Sequence, residues 1–278
     1  MMFEKLVIFD YSGTLSLDAV RFGEDDNLTG ELERSGLAAL GIAGPDTFWK
    51  KIVNPAWEEG STTAIGYREV MYRRIKEVFS PAVSDEEIRV SAARFVDSYL
   101  TYSPIDGRWR PILKKLGEEP SVMTVIATDH YAEATDYIIG FLKEMGAEAI
   151  SMKDVSGASA FPKFVVANSA DMGAHKADPG FWEMVRTVLK LDAIQSILII
   201  DDFGFNEEAG DSYADRRKVE DRKRKTIDLL KGIFNVPVYA ISFMLERDDQ
   251  VPTSREKDEK TRGDSIIQAS LEIEQWLK

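Results

Sequence analysis

The stretch that most constrains this chain is Leu6-Val7-Ile8-Phe9-Asp10-Tyr11-Ser12-Gly13-Thr14-Leu15. Its first four residues are apolar with no polar alternation, the pattern of a strand buried on both faces of a parallel sheet. The run then ends in a carboxylate, a hydroxyl, a glycine and a second hydroxyl. Asp10 is thereby placed at the carboxyl end of a buried strand, where open α/β sheets receive their ligands. Gly13 lets the backbone turn tightly and approach a bound group. A strand followed by a polar turn, with Asp10 as a cap, explains this stretch equally well when it is taken alone. The ends of the other candidate strands separate the two readings.

From Ser16 to Ser103 the periodicity is helical, with no convincing strand. Helices are expected over Glu31 to Leu40, over Thr47 to Trp57 with an end or kink at Pro55, and over Gly66 to Phe79. A further helix follows Ser84, where Ser84 and Glu87 make a capping box, and runs towards Leu100. Tyr102 to Gly107 reads as a linker, so an all-helical insert, a second and smaller domain, follows the first strand. An alternating βα pattern begins at Gly107. Trp109 to Leu116 suggests a helix, Val122 to Ala127 a buried strand, and Tyr131 to Met145 an amphipathic helix stopped by Gly146. Glu148 to Met152 and Phe164 to Ala167 each qualify as the next strand. Asp178-Pro179 starts a helix, with Asp as cap and Pro in the first turn. Ser196 to Ile200 and Val236 to Ile241 are further strands. The mixed charges of Asp211 to Lys225 suggest a solvated helix or loop. Gln250 to Asp264 reads as a mobile polar segment, before a last helix from Ile266 to Trp276.

Composition narrows the function. The 278 residues carry 48 acids against 35 Lys plus Arg, a formal charge of −13. That balance argues against a general basic field for nucleic acid or an anionic membrane surface. A local pocket for a phosphate remains compatible with it. The absence of cysteine removes disulfides, thiolate metal sites and thiol catalysis. No apolar run approaches the length of a membrane span. Met1 to Leu6 carries an acid and does not read as a signal peptide, which makes a cytoplasmic location the default expectation. Nothing in the sequence sets an oligomeric state.

Three of the buried strands end in reactive or phosphate-binding groups: Asp10, Thr128, and the pair Asp201-Asp202. Lys176, just before the Asp178-Pro179 helix start, adds a cation. Converging carboxylates suit Mg²⁺, which prefers oxygen ligands, and a hydroxyl and an ammonium beside that ion make an anion site. Phosphoryl transfer to an aspartate nucleophile is the chemistry this set fits. In bland readings Asp202 is a helix cap and Lys176 a solvated side chain. His130 and His175 both fall beside these motifs, with side chains suited to proton transfer near neutrality, although polar loop residues explain both.

The order Asp10-Tyr11-Ser12-Gly13-Thr14-Leu15, Thr128, Lys176, Asp201-Asp202-Phe203-Gly204-Phe205-Asn206-Glu207 resembles the haloacid dehalogenase superfamily. The resemblance covers nearly the whole chain. It implies an α/β fold with a Rossmann-like three-layer core over residues 1–15 and 104–278, and a mainly α-helical cap over 16–103. It implies a Mg²⁺-dependent hydrolase that acts on a small phosphorylated molecule through an aspartyl-phosphate. Asp10 would be the nucleophile, Thr128 would bind the phosphoryl group, and Lys176 would neutralise charge. Asp202 would hold Mg²⁺ with Asp10 and the Ser12 carbonyl, and Asp201, Asn206 or Glu207 would complete or support the ligand set. Gly13, Thr14, Asp129 and His130 would lie against the substrate. Trp57, Arg68 and Arg73 are candidate cap contacts.

Ser12 departs from the pattern, because most phosphatases of that family carry a second aspartate there as general acid and base. The departure keeps two alternatives open. One is a weakly or non-catalytic relative that binds a phosphorylated ligand or a protein partner. The other is a phosphonatase-like enzyme that cleaves a carbon–phosphorus bond, which would want a cap lysine such as Lys50 or Lys51.

Overall fold

The computed structural model describes residues 3–79, 82–157, 163–207, 216–245 and 255–278. The strands β1 (Lys5–Phe9), β2 (Val122–Thr128), β3 (Ala149–Ser151), β4 (Phe164–Asn168), β5 (Ser196–Asp201) and β6 (Val238–Ser242) form one sheet in the order β3-β4-β2-β1-β5-β6. Every pairing is parallel. Alternate residues of each strand feed opposite faces. Val7, Phe9, Ile126, Val166, Leu198 and Ile200 enter one apolar cluster, and Leu6, Ile8, Val125, Val165, Ile197 and Ile199 enter the other. Both faces of the four inner strands β4, β2, β1 and β5 are therefore dry, which is why these strands carry no polar alternation.

Helices cover both faces. On the first lie α7 (Arg110–Glu118), α8 (Ala134–Glu144) and α12 (Arg255–Leu277), through Ile112, Leu116, Ile138, Leu142, Ile266 and Ile273. On the second lie α10 (Pro179–Val188) and α11 (Arg216–Phe234), through Phe181, Trp182, Val185, Leu230 and Phe234. The short helix α9 (Ser169–Met172) follows β4. This is the three-layer α/β architecture that the strand pattern requires.

Between β1 and β2 the described chain forms α1 (Leu17–Phe22), α2 (Asp25–Ser35), α3 (Pro45–Thr47), α4 (Asn54–Ser61), α5 (Tyr67–Phe79) and α6 (Asp85–Thr101), with no strand beyond an isolated Ser12–Ser16 bridge. Amphipathic faces of α2, α5 and α6 bury Leu28, Leu32, Met71, Ile75, Ile88 and Phe95 in an apolar cluster continuous with one face of the sheet. The Ser84–Glu87 capping box is present at the start of α6. The chain is tied where it leaves and returns. The Tyr11 hydroxyl donates to the Ser103 carbonyl, the Asp106 N–H to the Leu15 carbonyl at 2.9 Å, and the Trp109 indole N–H to the Thr14 carbonyl at 3.2 Å.

Several elements differ from the sequence expectation. The helix expected over Glu31 to Leu40 begins at Asp25 and stops at Gly36, whose φ of +90° is a left-handed cap. Pro55 does not end the helical run. A π-helical turn over Phe48–Val53 runs directly into α4, and Pro55 sits in the first turn of α4, where a missing N–H costs least. The two competing segments after Gly146 are both strands, β3 and β4. Residues 255–264, expected to be mobile, open α12, where Arg262 is 3% exposed and donates to Asp18 at 3.1 Å. Residues 250–254 and 211–215 lie outside the described residues. From Arg216 the charged run is helical as α11, and it buries Val219.

Candidate active site

The register of the sheet sets the site. Phe9 pairs with Ile126 on one side and Ile200 on the other. Asp10, Thr128 and Asp201 therefore emerge along one edge of the sheet, in the crevice beyond the strand ends. Asp10, Asp201 and Asp202 are all buried, and one carboxylate oxygen of each lies within 4.8 Å of the others. Lys176 reaches this cluster from the loop before α10. Its ammonium donates to Asp10 Oδ1 at 2.5 Å and to Asp201 Oδ2 at 3.2 Å. Asp129 holds that loop by accepting the Lys176 backbone N–H at 2.9 Å.

The loop after β5 is wound tightly around Asp202. Asp202 accepts the Gly204 N–H at 3.1 Å and the Asn206 N–H at 2.8 Å. Gly13 fixes how closely the β1 loop approaches it. With φ at +73°, a Cβ on Gly13 would stand 2.7 Å from Asp202 Oδ2, so no other residue fits without displacement. Thr14 Oγ1 accepts the Asp202 N–H at 3.1 Å. Asn206 donates to the carbonyls of Gly13 and Phe243 and accepts the Leu245 N–H, all within 2.9 Å. Gly13 and Thr14 brace the loop that carries Asp202 and lie outside the cavity wall, and Asn206 supports the same loop through backbone groups, one of the two places expected for it.

Burial controls the electrostatics. It pushes the Asp10 carboxyl up to about 7 against the opposing pull of the Lys176 ammonium. Burial likewise holds Asp202 well above the usual carboxylate range, reinforced by the charges of Asp10, Glu207 and Asp201. The same desolvation raises Asp129, while burial pulls the Lys176 ammonium down and the surrounding Asp10, Asp201 and Asp129 outweigh it, holding it well above an ordinary lysine. Burial thus opposes ionising all of these carboxylates around one ammonium, a cost that a bound cation would relieve. The donors are oxygens, the set that hard divalent cations prefer. The residues present thus fit a Mg²⁺ ion.

A cavity of about 210 Å³ opens over this cluster. Asp10, Ser12, Thr128, Asp129, His130, Lys176, Asp201 and Asp202 all line it. The Ser12 hydroxyl donates to Glu207 Oε1 at 3.0 Å, and Glu207 lines the cavity too. His130 is neutral near pH 7, since burial pulls it down to about 4. Its Nδ1 accepts the Tyr131 N–H at 2.8 Å, which leaves Nε2 as the protonated nitrogen, 2.9 Å from the Tyr99 hydroxyl. An imidazole fixed in this way orients Tyr99 and is poorly placed to shuttle protons. His175 does not line the cavity. Its Nε2 lies 2.6 Å from Ser61 Oγ, and its ring stacks on Trp57, joining α4 to the Lys176 loop.

Of the expected contacts from the insert, Trp57 lines the cavity. Arg68 and Arg73 do not. Arg68 pairs with Asp97, and Arg73 with Glu69 at 3.0 Å, on the exposed side of α5. Lys50 and Lys51 are also exposed and outside the cavity wall, which removes support from a lysine-based carbon–phosphorus cleavage. Sequence reasoning missed Phe48, Trp49, Tyr67, Tyr99, Arg222 and Thr226 in the wall. Tyr99 follows Phe95 by four residues, a helical spacing that marks a shared face. Arg222 lies in a dense charge run that offered no signal.

No protein-family model and no curated protein matches this chain. Solved structures do resemble it. A 2-haloacid dehalogenase from Pseudomonas syringae pv. Tomato DC3000 is 17% identical over 77% of this chain and 84% of its own, with a TM-score of 0.47. The magnesium-bound protein YfnB of Bacillus subtilis is 16% identical over 77% and 86%, at 0.42. A phosphonoacetaldehyde hydrolase-like protein from Oleispira antarctica is 13% identical over 93% and 94%, at 0.38. At such low identity and structural similarity, these likenesses assign no reaction to this chain.

Proposed function

We propose that this chain is a Mg²⁺-dependent hydrolase of the haloacid dehalogenase superfamily that transfers the phosphoryl group of a small phosphorylated molecule to Asp10. The observation that carries this reading is the meeting of Asp10, Asp201, Asp202 and Lys176 at one sheet edge beneath a cavity. Asp10 Oδ attacks phosphorus, the bond from phosphorus to the leaving oxygen breaks, and that oxygen is protonated from solvent. Water then cleaves the aspartyl-phosphate, releasing inorganic phosphate and restoring the carboxylate. Lys176 offsets charge on Asp10 and on the transferring group, and Thr128 offers it a hydroxyl. Asp10 and Asp202 would hold the ion with the Ser12 carbonyl, and Asp201, paired with Lys176, would support that set. The bound ion would supply charge neutralisation at the phosphoryl oxygens.

Ser12 sets the rate regime. A serine hydroxyl is far too weakly acidic to protonate a leaving alkoxide, and here it is engaged by Glu207. Losing a positioned general acid–base costs ~10²–10⁴ in rate, so aryl and acyl phosphates suffer least. The same observation favours a second reading, a slow relative that chiefly binds its phosphorylated ligand. The helical insert would act as a cap that screens the site from water and selects the organic part of the substrate. The test is pre-steady-state release of product from an aryl phosphate. A Mg²⁺-dependent burst that Asp10→Asn abolishes is expected. Turnover that survives Asp10→Asn contradicts the nucleophile assignment.

A further inference from the structure

The cavity has two chemically distinct ends. Among the described residues, every charged side chain in its wall, from Asp10 to Arg222, comes from outside the helical insert. The insert contributes the rings of Phe22, Phe48, Trp49, Trp57, Tyr67, Phe95 and Tyr99, a single carboxamide from Asn54, and no Asp, Glu, Lys or Arg. Part of this aromatic set is ordinary core: Phe48 and Phe95 are 2% and 1% exposed. Trp49, Trp57 and Tyr99 are different, because they line the cavity and stay only half-buried. Phe48 and Trp49 also belong to the π-helical turn Phe48–Val53, an irregularity that occurs frequently at functional sites.

A chamber of this kind selects by what it fails to offer. A second phosphate, a carboxylate or a polyol placed among these rings would lose its hydration for few compensating partners. An apolar ring loses little water and gains buried area together with edge and face contacts. A volume of about 210 Å³ is small beside the cavities that hold drug-sized ligands. We propose that the site takes phosphate monoesters whose organic part is a single apolar ring. The phosphate lies at the strand-end charges and the ring lies in the aromatic chamber of the insert. This inference rests on the phosphoryl-transfer reading above.

The test separates head-group binding from ring binding. Benzylphosphonate and methylphosphonate share a non-hydrolysable head, and their affinities for the Mg²⁺-loaded full chain are measured by calorimetry. Benzyl phosphate and glycerol phosphate, both with alkyl leaving groups, are compared in kcat/KM so that leaving-group acidity does not enter. Benzylphosphonate should bind at least about tenfold tighter, with the same preference in kcat/KM. Trp49→Leu, and independently Val20→Phe, which enlarges a buried α1 residue of the cavity wall to fill the chamber, should reduce that preference while methylphosphonate affinity holds, which also reports intact folding. Equal affinities for the two phosphonates would overturn the ring assignment and leave phosphoryl transfer standing. Failure of both phosphonates to bind with Mg²⁺ would remove both.

Discussion

Asp10, Asp201 and Asp202 sit on, or directly after, strands held in one hydrogen-bonded register. Phe48, Trp49 and Trp57, across the same cavity, sit on a π-helical turn and a short helix. The floor of the site is therefore positioned by backbone pairing, and the roof by side-chain packing. Floors of the first kind tolerate charge, because fixed backbone donors and Lys176 hold the carboxylates in place. Roofs of the second kind are adaptable, because no ladder of hydrogen bonds fixes a ring. The two regions should then respond differently to mutation, with chemistry lost from the floor and selectivity from the roof.

The largest effect is expected from Asp202→Asn. Removing a charge that would hold the ion should cost ~10²–10³ in kcat/KM and abolish stabilisation by Mg²⁺ in a melting experiment. Without metal the sign reverses. Asp202 has its pKa raised on folding, so its contribution to stability is present below about 3.8 and is lost as pH rises above that value. The chelated Asn variant should accordingly melt higher than the chelated parent at neutral pH. A lower melting point for the chelated variant would show that the carboxylate is stabilised without an ion.

Ser12→Asp comes next. It places a carboxyl where the proposed mechanism lacks a general acid, but within reach of Glu207. Two like charges there oppose each other, so the single variant should gain little on alkyl phosphates. Ser12→Asp combined with Glu207→Gln should gain more, ~10²-fold. A large gain from the single variant would mean that Glu207 moves away on ligand binding.

The smallest effect concerns the seam between floor and roof. Glu133 accepts the backbone N–H groups of Tyr67 at 2.7 Å and Arg68 at 3.2 Å, capping α5 from the loop before α8. Such a cap is worth about 1 kcal/mol. Glu133→Gln should raise KM about fivefold to tenfold with Mg²⁺ affinity unchanged. A change in Mg²⁺ affinity without one in KM would contradict the division between the two regions.

The same contrast explains what could be read from sequence. The unbroken apolar runs ending in Asp10, Thr128 and Asp201-Asp202 carry the sheet and the floor on their surface, because a parallel strand buried on both faces leaves a plain signal. The helical character of 16–103 and the Ser84–Glu87 cap follow from local rules as well. The roof does not. A π-helical turn through Phe48–Val53 has no sequence pattern, and Pro55, read as an end or kink, sits in the first turn of the helix that follows it. Arg68 and Arg73 look like anion ligands by type, yet nearby acids engage them on the outer face of α5. The segment 255–264 is polar along its length and is helical because tertiary contacts, Arg262 to Asp18 among them, hold it. Thr14 is expected by motif at the ligand, whereas its hydrogen bond, like those by which Asn206 supports the site, ties two loops together.

The central claim is that Asp10 carries the phosphoryl group. Its most direct test is acid quenching of the full chain after mixing with an acyl or aryl phosphate and Mg²⁺, followed by mass analysis of the peptide containing Asp10. One added phosphoryl group on Asp10, absent with chelator and absent in Asp10→Asn, is the predicted result. Product release with no phosphoryl group ever detected on Asp10, under conditions where quenching outpaces turnover, would contradict the account.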